Sequence, residues 1–205
     1  MSSSPFISPR TLIAVAMITG AVVACKKSEN AATDTATPAV APAPDTAKPA
    51  TAAPPAINDA QIAHIAVTAN AVDSAAGQLA KTKGASKAVK DFAQTMVTDH
   101  TGVNKQAVAL ATKLNVTPED NDTSRQLKAG GDANIAKLNG LSGAAFDKAY
   151  IDNEVAYHQA VLDAIDKTLI PSAQNAELKG LLEKVRPAIA AHLEHAKTIQ
   201  TSLSK

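Results

Sequence analysis

Tryptophan is absent from the 205 residues, and the chain holds only two tyrosines and three phenylalanines. Phe92 and Phe146 are the only phenylalanines beyond the first quarter. A core with so few large rings must be built from alanine, leucine, isoleucine and valine, which favours closely packed helices over a sandwich that needs large β-formers. Cysteine occurs once, at Cys25, so no intramolecular disulfide can form. Charge of one sign is also lacking, because 20 basic residues face 19 acidic ones. Residues 1–24 carry a single charge, Arg10, so the balance survives without them and gives no electrostatic reason to expect a nucleic acid partner. No nucleophile motif and no phosphate-cradling loop is present, which removes the usual grounds for a hydrolase.

The apolar run from Thr11 to Ala24, "TLIAVAMITGAVVA", is shorter than the roughly 20 residues that cross a bilayer as a helix. It reads as an export signal over residues 1–24. Its end, "VVAC" at 22–25, resembles a bacterial lipobox, in which Cys25 becomes the lipid-bearing mature N-terminus. Two or three acyl chains, at about 0.8 kcal/mol per buried methylene, would hold a soluble domain to a membrane. The expected location is therefore the bacterial envelope, on the periplasmic side. By resemblance to enterobacterial sorting, Lys26 after the cysteine points to the outer membrane. Residues 25–56 are rich in alanine, proline and threonine without apolar periodicity, so they are expected to be a disordered tether.

Residues 57–205 read as helix, and the expected fold is all-α. Asn58 or Asp59 opens a first helix that stops at Gly84, and Ser86 opens a second that reaches about Leu114, ahead of Pro118. Ser142 starts a third, ending near Leu169 before Pro171. Asn175 starts a fourth, ending near Leu203 and containing Pro187. Short joints make the first and second helices, and the third and fourth, antiparallel neighbours. Asn115 to Leu141 is a long connection with a weaker helical stretch, "SRQLKAGGDANIAKL", broken by Gly130 and Gly131. It is long enough for the crossover of a ferritin-like four-helix bundle; an up-down bundle with a surface excursion is the alternative.

The apolar stripes carry polar interruptions. In the second helix the stripe runs Val89, Ala93, Met96, His100, Val103, Ala107, Leu110 and Leu114. In the third it passes Ile151, Glu154 or Val155, His158, Leu162, Ile165 and Leu169, and in the fourth Leu178, Leu181, Val185, Ile189, His192, Ala196, Ile199 and Leu203. Three of the five histidines thus fall on inward seams of three helices. At 1.5 Å per residue in the crossover arrangement, Asp73, Asp99, His100, Glu154, His158 and His192 fall within about two turns of one another. Asp73 stands one residue off the stripe of Val72, Ala76 and Leu79. Such groups are costly to bury unless paired, hydrogen-bonded or ligated. One reading is a site for iron, zinc, copper or manganese; the other is a structural network that fixes helix register, or histidines at the seam edge reaching water. His195 is one turn past His192 and points partly off the seam, and His64 reads as a boundary residue.

Three segments, "AKTKGASKAVKDFAQTMVTDH", "LSGAAFDKAYIDNEVAYHQAVL" and "VRPAIAAHLEHA", resemble in order a bacterial family known as domain of unknown function 4142, envelope proteins with a ferritin-like helical domain. The likeness spans about Ile57 to Leu203. The features shared are Asp99-His100, Phe146-Asp147 with Tyr150, His158, and Pro187 followed by His192. Where this chain has Asp73, the family usually shows a glutamate. The resemblance implies a fold and no reaction. Ferritin-like di-iron proteins carry Glu-x-x-His on two helices, whereas here Val97 and Ile189 stand three residues before His100 and His192. A di-iron centre is therefore not expected, and a mononuclear or histidine-rich site is left open. The sequence thus supports a lipid-anchored envelope protein with a transition-metal site in its core. The alternative is a non-enzymatic structural or protein-interaction domain.

Overall fold

The structure, a computed structural model, describes residues 57–205; the signal segment, Cys25 and the tether lie outside the described residues. Every regular element among them is helical, with no strand among the described residues. The helices are α1 (Asp59–Lys83), α2 (Lys87–Lys113), α3 (Asp122–Asn139) and α4 (Gly143–Ala164), then a π-helical turn (Ile165–Leu169), a short α5 (Ile170–Ser172), and α6 (Ala176–Leu203).

Local chemistry explains the boundaries. Asn58 caps α1 in a capping box with Gln61, Ser86 accepts from Val89 N–H at the start of α2, and Asn175 accepts from Glu177 and Leu178 N–H at the start of α6. Asn121 caps α3 in a second capping box with Ser124, a start that the sequence placed less firmly.

Two expectations need correction. Pro171 does not end the third helix at Leu169. The chain widens into the π turn, where Ile170 N–H bonds to Ile165 O, and Pro171 then falls in the first turn of α5, where a missing N–H is tolerated. Nor is α3 broken at its glycine pair. A Cβ on Gly131 would lie 2.6 Å from Val72 Cγ1, so the glycine lets α3 lie close against α1 while staying helical.

Side-chain clamps fix the helix directions. The Asp59 carboxylate accepts from Gln174 and Asn175 N–H, both at 2.9 Å, which joins the N-termini of α1 and α6. Asp147, buried at the start of α4, accepts from Ala85 N–H at 2.8 Å and Ser86 N–H at 2.7 Å, joining the N-termini of α4 and α2. Asn121 donates to Gln61 O, and Lys83 donates to Leu138 O and Asn139 O, so α3 runs parallel to α1 along its length. Helix α1 packs on α2, α3 and α4, and α6 packs on α4 and α2.

The buried apolar side chains form two groups. One contains Phe92, Met96, Phe146, Tyr150 and Ile151, and the other Ile62, Ile65, Leu162, Leu182, Ile189 and Leu193. A layer of buried polar residues lies where the groups meet: Asn70 and Asp73 on α1, His100 on α2, Glu154 and His158 on α4, and His192 on α6.

Candidate metal centre

Each residue of the polar layer is delivered by a helix whose neighbouring turns are anchored in the apolar groups. Met96 in the first group and the half-buried Leu110 against the second hold α2 on either side of His100. Ile151 and Leu162 bracket Glu154 and His158, and Ile189 and Ala196 bracket His192. The three imidazoles meet as a near-equilateral triangle, with ring centroids 5.4, 5.5 and 5.6 Å apart. One donor nitrogen of each lies within 4.8 Å of those of the other two.

Every ring is held from behind by an acceptor. His100 Nδ1 lies 2.9 Å from Asn70 Oδ1, and the amide is oriented because its Nδ2 donates to Ala66 O at 2.8 Å. His158 Nδ1 lies 2.9 Å from Glu154 O, and His192 Nε2 lies 3.0 Å from Asp99 Oδ2. A neutral imidazole carries one N–H. Three outer acceptors therefore place the protons on the outer nitrogens and leave lone pairs on His100 Nε2, His158 Nε2 and His192 Nδ1, each of which is buried without a hydrogen-bond partner.

Asp73 lies beside two of the three rings. Its Oδ2 lies 3.4 Å from both His100 Nε2 and His158 Nε2, and neither of its oxygens has a hydrogen-bond donor. The Asp73 carboxylate and the lone pairs of His100 and His158 beside it lack a positive centre, which a metal ion supplies when bound. Outer acceptors on metal-ligating histidines serve to fix ring orientation in the same way.

Electrostatics fit that reading. Burial, followed by the neighbouring His158 and His192 rings, pushes His100 down to about 3. Burial lowers His158 to about 4 against the pull of the Glu154 carbonyl, and burial lowers His192 against Asp99. The imidazoles are thus neutral and ready to ligate at neutral pH. Burial pushes Asp73 up to about 7, and burial together with Asp73 raises Glu154.

Of the six residues proposed as ligands from sequence, five are buried in one layer, and Asp99 is not among them. Its side chain is 45% exposed and reaches His192 from outside. Asp73, read as one residue off its stripe, lies on the buried seam of α1 with Asn70, Ala76, Gly77 and Ala80, while Val72 turns toward α3. Glu154 Oε2 lies 3.4 Å from His158 Nδ1, the outer nitrogen. Asp73, Glu154 and His158 also form a second group with donor atoms within 4.8 Å of one another. His195 is exposed and stacks edge-on against Phe92 at 5.3 Å, and His64 lies 3.8 Å from Asp120, both outside the layer.

Asn70 was missed in the sequence. Its only signal is its place three residues before Asp73 and four after Ala66, on a helix face of small residues. Tyr150 was seen only as part of a motif. It is fully buried, with its hydroxyl pushed well up by burial and by Glu154 and Asp73.

The family model described as Domain of unknown function (DUF4142) matches residues 43–199. No curated protein and no solved structure matches the chain. The match covers most of the chain, including all the residues of the polar layer, and the chain belongs to the DUF4142 family.

Proposed function

We propose that this domain binds one transition-metal ion through His100, His158, His192 and Asp73, inside a ferritin-like four-helix bundle made of α1, α2, α4 and α6 with α3 as the crossover. The observation that carries this reading is the set of inward lone pairs, each fixed by an acceptor behind its ring. Glu154 and Asp99 act from outside that set, on the outer nitrogens of His158 and His192. Imidazole with carboxylate suits iron, zinc, copper or manganese, and the missing Glu-x-x-His pairs disfavour a di-iron centre. Bundle topology is supported by the clamps that join α1 to α6 and α2 to α4 at their N-termini.

The second reading, a purely structural network, has one observation in its favour. A proton on Asp73 would satisfy one of the two nitrogens 3.4 Å away. It would leave the other, and His192 Nδ1, without a donor. Replacing all three histidines by leucine or methionine separates the readings. Loss of bound metal with retained helix content supports the metal centre; unchanged or raised stability in a chain that never bound metal supports the network.

The cellular setting belongs to the same proposal. The lipobox-like "VVAC" and the alanine- and proline-rich stretch after it would hold the domain on the periplasmic side of the envelope, at the outer membrane. Replacing Cys25 by alanine should release the protein from the membrane fraction, and unchanged fractionation would contradict the anchor.

A further inference from the structure

Next to the polar layer, on the side of the second apolar group, the helices leave a cavity of about 530 Å³. Its walls are aliphatic, with Val103, Leu169, Leu182 and Ile189 among them. Asp73, His100 and His158 also line it. Asp73 and His158 are each 1% exposed, and each has a polar atom without a partner. The cavity therefore has one apolar region and one wall of unsatisfied polar atoms, which is the composition of a ligand site.

Its shape restricts the occupant. Along α4 and the turn after it, the lining runs from Glu154 to Leu169, about 22 Å at the helical rise. A lining that follows one helix over that distance, among aliphatic side chains, suits an extended hydrocarbon chain. The polar wall restricts the head group. Three neutral imidazoles and one carboxylate leave a divalent cation only partly neutralised, so an anionic oxygen donor is favoured over a hydroxyl or a methyl end.

We propose that the cavity binds a single-chain aliphatic carboxylate, with its tail among the aliphatic side chains and its head group at Asp73, His100 and His158. The head-group half of this inference rests on the metal centre proposed above. Gln126 and Gly130 of α3 line the cavity and are exposed, so it reaches the surface beside them. A Cβ on Gly130 would meet nothing within 4 Å.

The test uses the full chain, stripped of lipid, with its metal content measured first. Laurate and dodecanol are then titrated calorimetrically against the metal-loaded protein. One laurate per chain is expected, bound at least about tenfold more tightly than dodecanol. Ala107→Phe, which places a ring in the cavity wall, should weaken laurate about tenfold or more with metal uptake unchanged. Gly130→Phe, at a helix position with open space, serves the same purpose if the first variant fails to fold. Normal metal uptake without saturable laurate binding would overturn the inference and leave the metal centre standing. So would equal affinity for laurate and dodecanol, or unchanged binding in a folded variant. A parent protein that takes up no metal would overturn both.

Discussion

Lowering the pH from 8 to 5 should weaken metal binding with a slope that reports on one or two carboxyl groups and on neither His100 nor His158. His100 and His158 are pushed down to about 3 and 4, so they stay neutral across this range and release no proton when a metal binds. Asp73, pushed up to about 7, is protonated below that value in the metal-free protein and must lose its proton to ligate. One proton released lowers the affinity about tenfold for each pH unit below 7, or about 100-fold by pH 5. If Glu154, also raised, ionises with it, the slope doubles. Calorimetry in buffers of differing ionisation enthalpy counts the protons directly. Asp73→Asn should remove one proton from the count as well as weakening the site. A slope approaching three near pH 5 is what three solvated imidazoles with ordinary values near 6.5 would give. That result, or a pH-independent affinity, would refute the burial argument.

The same shifts set the stability of the metal-free protein. The low values of His100 and His158 contribute stability that is fully present above about 6.5 and lost as the pH falls toward 4 and 3. The raised value of Asp73 contributes stability present below about 4 and lost as the pH rises through about 7. Between pH 6.5 and 8 only the carboxyl contribution changes, so the melting temperature of metal-free protein should fall there, and Asp73→Asn should flatten the fall. Asp147→Ala removes the acceptor for two backbone N–H groups and should cost about 3–5 kcal/mol in urea denaturation, with Asp147→Asn costing about half. A loss below about 0.5 kcal/mol would show that the clamp is not needed. The glycine pair in α3 should divide: Gly130→Ala gains up to about 1 kcal/mol, and Gly131→Ala, whose Cβ would meet the stiff Val72, loses about 1–2 kcal/mol. Thermal melts of the two variants test the sign of each.

Much of this arrangement was legible because caps and periodicity are local. Asn58, Ser86, Ser142 and Asn175 each mark a helix start that the structure has within one residue. The seams of α2, α4 and α6 stand out because histidine or glutamate interrupts a row of larger aliphatic side chains. On α1 the same pattern is hidden: alanine and glycine make up nine of its 25 residues, so the seam has few large side chains to mark it, and the places of Asp73 and Asn70 on it are not legible.

Other features depend on contacts that no local pattern encodes. Gly131 reads as a breaker until Val72 is placed against it. Pro171 reads as a stop because the π turn ahead of it departs from the 3.6-residue period. Asp99 and His100 are neighbours in sequence but point to opposite surroundings, one half-exposed and the other buried. The pair thus supplies one inward nitrogen, on His100, and one outer acceptor, Asp99 for His192.

The most direct test of the metal centre is to count bound metal in the parent protein and identify its ligands. After exposure to iron, zinc, copper and manganese in turn, elemental mass spectrometry should find about one ion per chain for at least one of them. X-ray absorption on that sample should then show about three imidazoles and a carboxylate oxygen around it. A folded protein that retains none of the four, or a bound ion without imidazole ligands, would contradict the account.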